Sequence, residues 1–587
     1  MHDLATLRAG GYRDAGLTKL KLTETLDQFP SEIFNASIAT TLEILDLSGT
    51  GLSALPADLG ARLPRLRIAF FSNCNFTTFP STALAGCPRL EMVAFRKNGM
   101  EAFEGASERA SQDDSVAIFP PQLRWLILTD NRLAHIPASI GRCARLEKCM
   151  LAGNQLTGLP DAMARCQNLT LLRLAANRLE ALPGWLLSMP RLAFLSFAGN
   201  PCSAANALSS AKDTAAPATS ASQSTLPHVD WNQIEMHHVL GEGASGIISK
   251  GTIRSTIGGS GNAGTAASSR GPSSALNSCG PSGFNTPSLS GTSTPALSVS
   301  SGASSVFSTA TSSLSALSAT TSASAGTNPS SSTLSPSPSL SLSPSTPVAV
   351  KIFRGALTSD GTPYDEMAAC MAAGQHVNLV QVHGQIRWGE DEEEDAEEAI
   401  EANETKEAAP ASFRGGLIME LIPPQYRVLG QPPSFDSCTR DCFDTASDNS
   451  HLPVPAAMAI LSGVASAAAH LHARGIAHGD LYAHNILVAR AVDANTADAA
   501  THAILSDFGA ATLYGSTGLE SLEKLEKLEV LAFAHLVEDV VGLMAEEPSS
   551  IRQQLLRLHE QCAVQDVTKR PAFSTLVREL SALQAVA

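Results

Sequence analysis

Paired cysteines, positive charge and a leader-like apolar run are all in short supply in this 587-residue chain, and each shortage closes a class of explanation. The 11 cysteines are scattered and none forms a C-x-x-C pair, so neither a disulfide framework nor a cysteine-based zinc site is indicated. A reducing, cytoplasmic setting is expected instead. Lysine and arginine number 40 against 56 acids, a net charge of −16, and nothing suggests a nucleic-acid partner. The opening MHDLATLRAGGYRD has no apolar signal core. The longest apolar window, AAMAILSGVASAAAHL, reads as a buried helix rather than a membrane span. The acidity is local: Gly389 to Glu407 holds eleven acids and one lysine, a net of −10 out of the −16, and reads as a solvated insert.

Leucine is what the N-terminal third has in abundance, and it recurs with a period. LEILDLSGTGLSALP, LRWLILTDNRLAHIP, LEKCMLAGNQLTGLP and LTLLRLAANRLEALP share L-x-x-L-x-L-x-x-N-x-L-x-x-L-P. The asparagine position recurs at Asn131, Asn154, Asn177 and Asn200 with a constant step of 23, and earlier at Thr25, Thr50, Cys74 and Asn98. These are leucine-rich repeats, eight of them, enough for each unit to bury its neighbour's core face. The strand leucines and the asparagines are structural. Binding information belongs between them, on the concave face, where the third strand positions read Ile44, Ile68, Met92, Trp125, Lys148, Leu171 and Phe194, and the fifth add Phe70, Ile127 and Met150. Contiguous exposed apolar area marks an interaction site. A protein ligand is therefore expected on Ile68, Phe70, Trp125, Met150, Leu171 and Phe194, ahead of a face covered by the chain's own segments.

The C-terminal part carries a different signal. HGDLYAHNIL (His478 to Leu487) is followed by LSDFGA, so an aspartate precedes an asparagine by five residues and Asp-Phe-Gly comes next. That set holds a nucleoside triphosphate's metal ions against an acceptor hydroxyl. Upstream, in order, lie GEGASGII with its G-x-G-x-x-G spacing, PVAVKIF ending an alternating strand at Lys351, an alanine-rich helix with Glu366, and GLIMELI leading to a hinge. Over about Trp231 to Leu583 the chain resembles a protein kinase. Its RPAFSTLVREL resembles the last-helix motif of tyrosine-kinase-like and receptor-like kinases. The resemblance implies ATP and Mg2+ as cofactors. Asp480 and Lys351 would be catalytic. Gly241, Gly243, Gly246, Ile248, Lys351 and Glu366, with Met419, Glu420 and Leu421 at the hinge, would bind nucleotide. Asn485 and Asp507 would bind metal, while His478 and Phe508 read as packing residues.

Several positions depart from that pattern. Gly479 stands where the family usually has the arginine that meets an activation-loop phosphate, so control by loop phosphorylation is not expected. Tyr482 stands two residues after Asp480, where serine/threonine kinases carry a lysine, and tyrosine cannot supply that charge. His484 is a weaker substitute. From Asp507 to Glu529, aligned with the acid of the large buried helix, the segment is short, and Arg570 is left without its usual glutamate partner.

The expected architecture is an α/β repeat solenoid followed by an α+β two-lobed kinase-like domain. Repeats fill 1–202, a flexible linker 203–228, and the kinase-like domain 229–587, with a serine-rich disordered insert at about 255–346 and the acidic insert at about 389–411. The function expected is an ATP-dependent protein kinase acting on serine or threonine, with the repeats as docking arm. The alternatives are an ATP-binding pseudokinase scaffold in which the repeats carry the function and, as a minor reading, a small-molecule kinase.

Overall fold

In the computed structural model of the chain, residues 2–12, 16–105, 116–203, 226–243, 245–254, 346–353, 357–358, 360–388, 415–443, 451–489, 501–514, 519–544 and 550–585 are described. The expected linker and both inserts fall wholly or largely outside them. Each repeat contributes one three-residue strand to an eight-stranded, all-parallel sheet that runs from Lys19–Lys21 to Phe194–Ser196. Side chains alternate across a strand. The middle residues, such as Leu20, Leu45, Leu126 and Leu172, therefore point into the repeat interior, where all four are fully buried. Each such leucine contributes about 1.5–3 kcal/mol over an exposed one.

The asparagines close the backbone of the turns between repeats. Asn154 Nδ2 donates to Leu128 O (2.9 Å) and Leu151 O (3.0 Å), while its Oδ1 accepts from Leu133 N (3.1 Å). Asn177 and Asn200 repeat the arrangement one step on. Where the asparagine is replaced, Thr50 Oγ1 and Cys74 Sγ both donate to Leu47 O instead, at 2.8 and 3.2 Å. Each side chain thus satisfies carbonyls that the narrow turn would otherwise bury unpaired.

The C-terminal part has a protein-kinase-like fold. A six-stranded sheet runs in the order His228–Asp230, Val382–Arg387, Gly416–Glu420, Pro347–Phe353, Gly246–Ile253, Ile234–Gly243. All its pairings are antiparallel except that of the first strand with the second. Helix Pro363–Ala373 belongs to this lobe. Proline at its first position and Thr362 as N-cap, accepting from Asp365 N, set its start. The second lobe is built on helix Val454–His472, the apolar window of the sequence, whose eleven buried residues pack against helices Phe573–Gln584 and Leu519–Leu543. Downstream of Asp-Phe-Gly, the leucine-rich run LESLEKLEKLEVL lies in helix Leu519–Leu543.

One expectation is overturned. The concave column of the repeats is not open surface, because the kinase-like domain of the same chain covers it. Ile68, Trp125, Met150, Leu171 and Phe194 are buried and share one apolar cluster with Tyr482, Ala532 and Leu536. Phe70 is half-buried against the same cluster. Phe194, 1% exposed, stacks on Tyr482 at 3.8 Å between ring centroids and 7° between planes. Backbone groups join in: Phe197 N donates to Thr512 Oγ1 (3.2 Å), and Arg570 Nη2 to Pro190 O (2.6 Å). The column reads as apolar because it is an interior surface between two domains of one chain.

The strands that flank the serine-rich insert are antiparallel neighbours, with Thr252 opposite Pro347. A short turn can therefore bridge them, and closing a shorter loop changes entropy by only about a kcal/mol. Replacing residues 256–345 with a four-residue glycine-containing turn is expected to leave nucleotide affinity and the thermal midpoint nearly unchanged. Loss of nucleotide binding in calorimetry would show that the deleted stretch carries structure.

Candidate active site

The nucleotide side of the cleft forms between the six-stranded sheet and helix Pro363–Ala373. Pairing places Gly241 opposite Ile248 and Gly243 opposite Gly246, and it sets Ile248 beside Lys351. A Cβ built on Gly246 would stand 2.1 Å from Ile352 O, so only glycine lets the hairpin lie so close to the lysine strand. Ile248, Leu240 and Leu421 pack around buried Ala349 and Met419, making an apolar slot suited to a planar base. The N–H of Glu420 is given to Gln381 O at 2.9 Å, so of that residue's backbone groups the amide is not open to a base.

Lys351 and Glu366 are brought together as a buried ion pair. Burial opposes the ammonium's charge, but Glu366 and Asp507 outweigh it and hold the lysine above its ordinary pKa. The amine therefore stays charged.

The second lobe supplies the remaining groups. Hairpin strands Ile486–Ala489 and His502–Leu505 pair Ile486 with Leu505, which leaves Asn485 and Asp507 at its open end. Asp507 has φ +61°, a left-handed conformation costly for a non-glycine residue and one of the kind that gathers at working sites. Asn485 Nδ2 donates to Asp480 O and Oδ2 at 2.9 and 2.8 Å, leaving its amide oxygen for another partner. No cluster of three or more His, Cys, Asp or Glu among the described residues could hold a metal alone. One amide oxygen and one carboxylate suit magnesium, which takes few protein ligands and fills its shell with phosphate oxygens and water.

Beneath the catalytic loop, Glu529 accepts from Gly479 N (2.6 Å), His478 N (3.3 Å) and His472 Nε2 (2.6 Å). Burial alone would raise its carboxyl, yet these donors, with His478 nearby, keep it below the ordinary value. His478 Nε2 meets Ser506 O at 3.0 Å and packs on Phe508, the packing role expected of both. Arg570, whose partner the sequence left open, donates to the carbonyls of Val564, Lys527 and Pro190. Burial pushes its pKa down to about 10, Cys562 and Asp566 offsetting only part of the fall.

At Asp480 the repeats themselves enter the site. Arg173, from repeat strand Leu171–Arg173, reaches across the domain boundary with a side chain only 2% exposed. It forms an ion pair with Asp480, a second with Asp360 (2.8 Å), and donates to Gly479 O (2.8 Å). Burial alone would raise Asp480, but Arg173 first, then His484 and His478, depress its pKa. His484 is itself held above its ordinary pKa: burial pushes the imidazole down, and the hydrogen bond to Asp441 (2.7 Å) more than offsets this. Together with Lys148, Met150, Leu171, Tyr482 and Phe435, these residues line a cavity of about 100 Å³ beside Asp480.

The same contact explains Gly479. It has φ +73°, and a Cβ there would lie 2.7 Å from Ala510 O and 2.9 Å from Leu195 O of the repeats. An arginine cannot occupy this place with the domains so seated. Arg173 could have been noticed in the sequence as the one basic residue at the fifth strand position between Met150 and Ser196, but only contact with the second domain gives it meaning.

Comparisons with known proteins agree with this division. A leucine rich repeat model matches residues 121–179. The lipopolysaccharide kinase (Kdo/WaaP) family matches residues 439–529, the stretch that holds Asp480, Asn485, Asp507 and Glu529. No curated protein matches the chain. Among solved structures, a leucine-rich-repeat protein of Leptospira interrogans is similar at 26% identity over 31% of this chain, with a TM-score of 0.25. The match spans about half, 49%, of that protein's length. The chain thus joins leucine-rich repeats to a kinase-like domain.

Proposed function

We propose that the chain is an ATP- and magnesium-dependent kinase that phosphorylates serine or threonine hydroxyls of a protein, in a reducing, cytoplasmic setting. The observation that carries the reading is the convergence of Lys351–Glu366, Asp480–Asn485 and Asp507 on one cleft. Phosphoryl transfer asks mainly for positioning and charge neutralisation, and this set offers both. ATP with magnesium supplies the phosphoryl group. Lys351 anchors phosphate oxygens, Asn485 and Asp507 hold metal, and Asp480 receives the acceptor's proton. The division into repeats at 1–202, linker at 203–228 and kinase-like domain at 229–587 is part of the proposal.

A second reading is a small-molecule hydroxyl as acceptor. It is favoured by the cavity of about 100 Å³ beside Asp480, which has room for several water-sized groups. The match to the lipopolysaccharide kinase family over residues 439–529 points the same way. An acceptor screen with basic proteins and peptides in one arm and sugars in the other separates the two.

Two outcomes are expected. With the fold checked by circular dichroism, Asp480→Asn and Lys351→Ala should each lower transfer from ATP by on the order of 10²–10⁴-fold. Nucleotide binding without transfer to any acceptor would favour the pseudokinase scaffold. Arg173→Met removes the main group that depresses Asp480, so the carboxylate is protonated at higher pH and the acid limb of kcat/KM should move upward. An unmoved acid limb would mean that Asp480 is not the group titrating.

A further inference from the structure

Lys148 is a buried charge with no ionic partner among the described residues. It opens strand Lys148–Met150 on the concave face, is 6% exposed, and its ammonium lies 4.2 Å from the centroid of the Trp125 ring. Among the described residues no carboxylate forms an ion pair with it, although it lines the same cavity as Asp480, Tyr482 and His484. Burying an ammonium without an anion costs far more than stacking on an indole returns. Burial, with Arg173 adding to it, pushes its pKa down to about 8, while Cys438, Asp480 and Asp441 facing it offset only part of the fall. The Tyr482 hydroxyl is a second unmatched group: it is buried with no hydrogen-bond partner and borders the same cavity. Two unsatisfied donors beside a proton-accepting carboxylate describe a place made for an anion that arrives with the reaction.

The other cations nearby are committed elsewhere. Arg173 is spent on Asp480, Asp360 and Gly479 O, and the Nδ1 of His484 on Asp441. The catalytic loop after Asp480 reads Leu481, Tyr482, Ala483, with no basic residue before His484. Nor does the docked position of the repeats disturb the nucleotide side. Lys351 and Glu366 are paired, and the segment leading into the Glu366 helix is held by the repeats through Arg173–Asp360 and through Ser196 Oγ, which donates to Asp360 O at 3.2 Å.

We propose that Lys148 is a catalytic residue supplied by the repeats, its ammonium and the Tyr482 hydroxyl binding the oxygens of the phosphoryl group while that group passes to the acceptor. The inference rests on the kinase reading above. In the step, the acceptor oxygen bonds to phosphorus as the bond to the nucleotide's leaving oxygen breaks, and the hydroxyl proton goes to Asp480. The repeats are then half of the active site rather than an arm attached to it.

The test uses the full chain and a mimic of the phosphoryl group in transfer. Calorimetric affinity for Mg·ADP is measured with and without aluminium fluoride in wild type, Lys148→Met, which keeps the stem on Trp125, and Lys148→Arg. Aluminium fluoride should tighten ADP binding to wild type, and Lys148→Met should lose at least tenfold of that gain while its affinity for ADP alone stays within twofold. Lys148→Arg should recover most of the gain. In turnover, the alkaline limb of kcat/KM should fall near pH 8 in wild type, where the lysine loses its proton, and move upward in Lys148→Arg. An undiminished gain in Lys148→Met, or a limb that Lys148→Arg does not move, overturns the proposal. So does faster transfer by Lys148→Met, which would make the repeats a brake. If wild type binds ADP with no gain from aluminium fluoride, the kinase reading fails and this proposal falls with it.

Discussion

Arg173 is a guanidinium taken almost wholly out of water at the boundary between two domains, and the seating of one domain on the other depends on it. Removing a charge from water costs several kcal/mol, recovered only where geometry and further hydrogen bonds satisfy the ion. Asp480, Asp360 and Gly479 O provide that satisfaction together, and all three belong to the kinase-like domain. A shift of a few ångströms between the domains would strand three partners at once. The apolar column around Phe194 supplies adhesion without direction; the arginine supplies the register.

That register has consequences on both sides of the boundary. In the loop around Asp480 it adds to the need for a glycine at 479, where a Cβ would meet Leu195 O of the repeats at 2.9 Å as well as Ala510 O at 2.7 Å. On the nucleotide side it fixes Asp360, and through Thr358 and Gly361 the turn that leads into the helix bearing Glu366. The repeats therefore touch both Asp480 and the segment that leads into the helix bearing Glu366.

Much of this architecture was legible in the sequence because its signals are local. A 23-residue step of asparagines reports backbone carbonyls that need a donor in every turn, and the hydrogen bonds of Asn154 and Asn177 are those donors. Ordered motifs likewise led to Lys351, Glu366, Asp480, Asn485 and Asp507, which the fold gathers into one cleft. What stayed hidden was long-range. An apolar column looks the same whether a separate protein or the chain's own domain covers it, so Trp125 and Phe194 were assigned to the wrong partner. Arg173 lies 307 positions from Asp480, and no periodicity connects them. Gly479 and Tyr482 showed as departures from a pattern, and part of their reason lay in Leu195 and Phe194 of the other domain.

The central claim is that the concave face of the repeats is seated on the catalytic loop in the native protein. A double-mutant cycle on thermal and denaturant unfolding, with Phe194→Leu, Tyr482→Leu and the double variant, measures that contact without touching a charged group. The stacked pair should show a coupling of about 0.5–1.5 kcal/mol. Additivity within about 0.3–0.5 kcal/mol, as for sites that share no contact, would mean that the two domains do not meet there and would contradict the account.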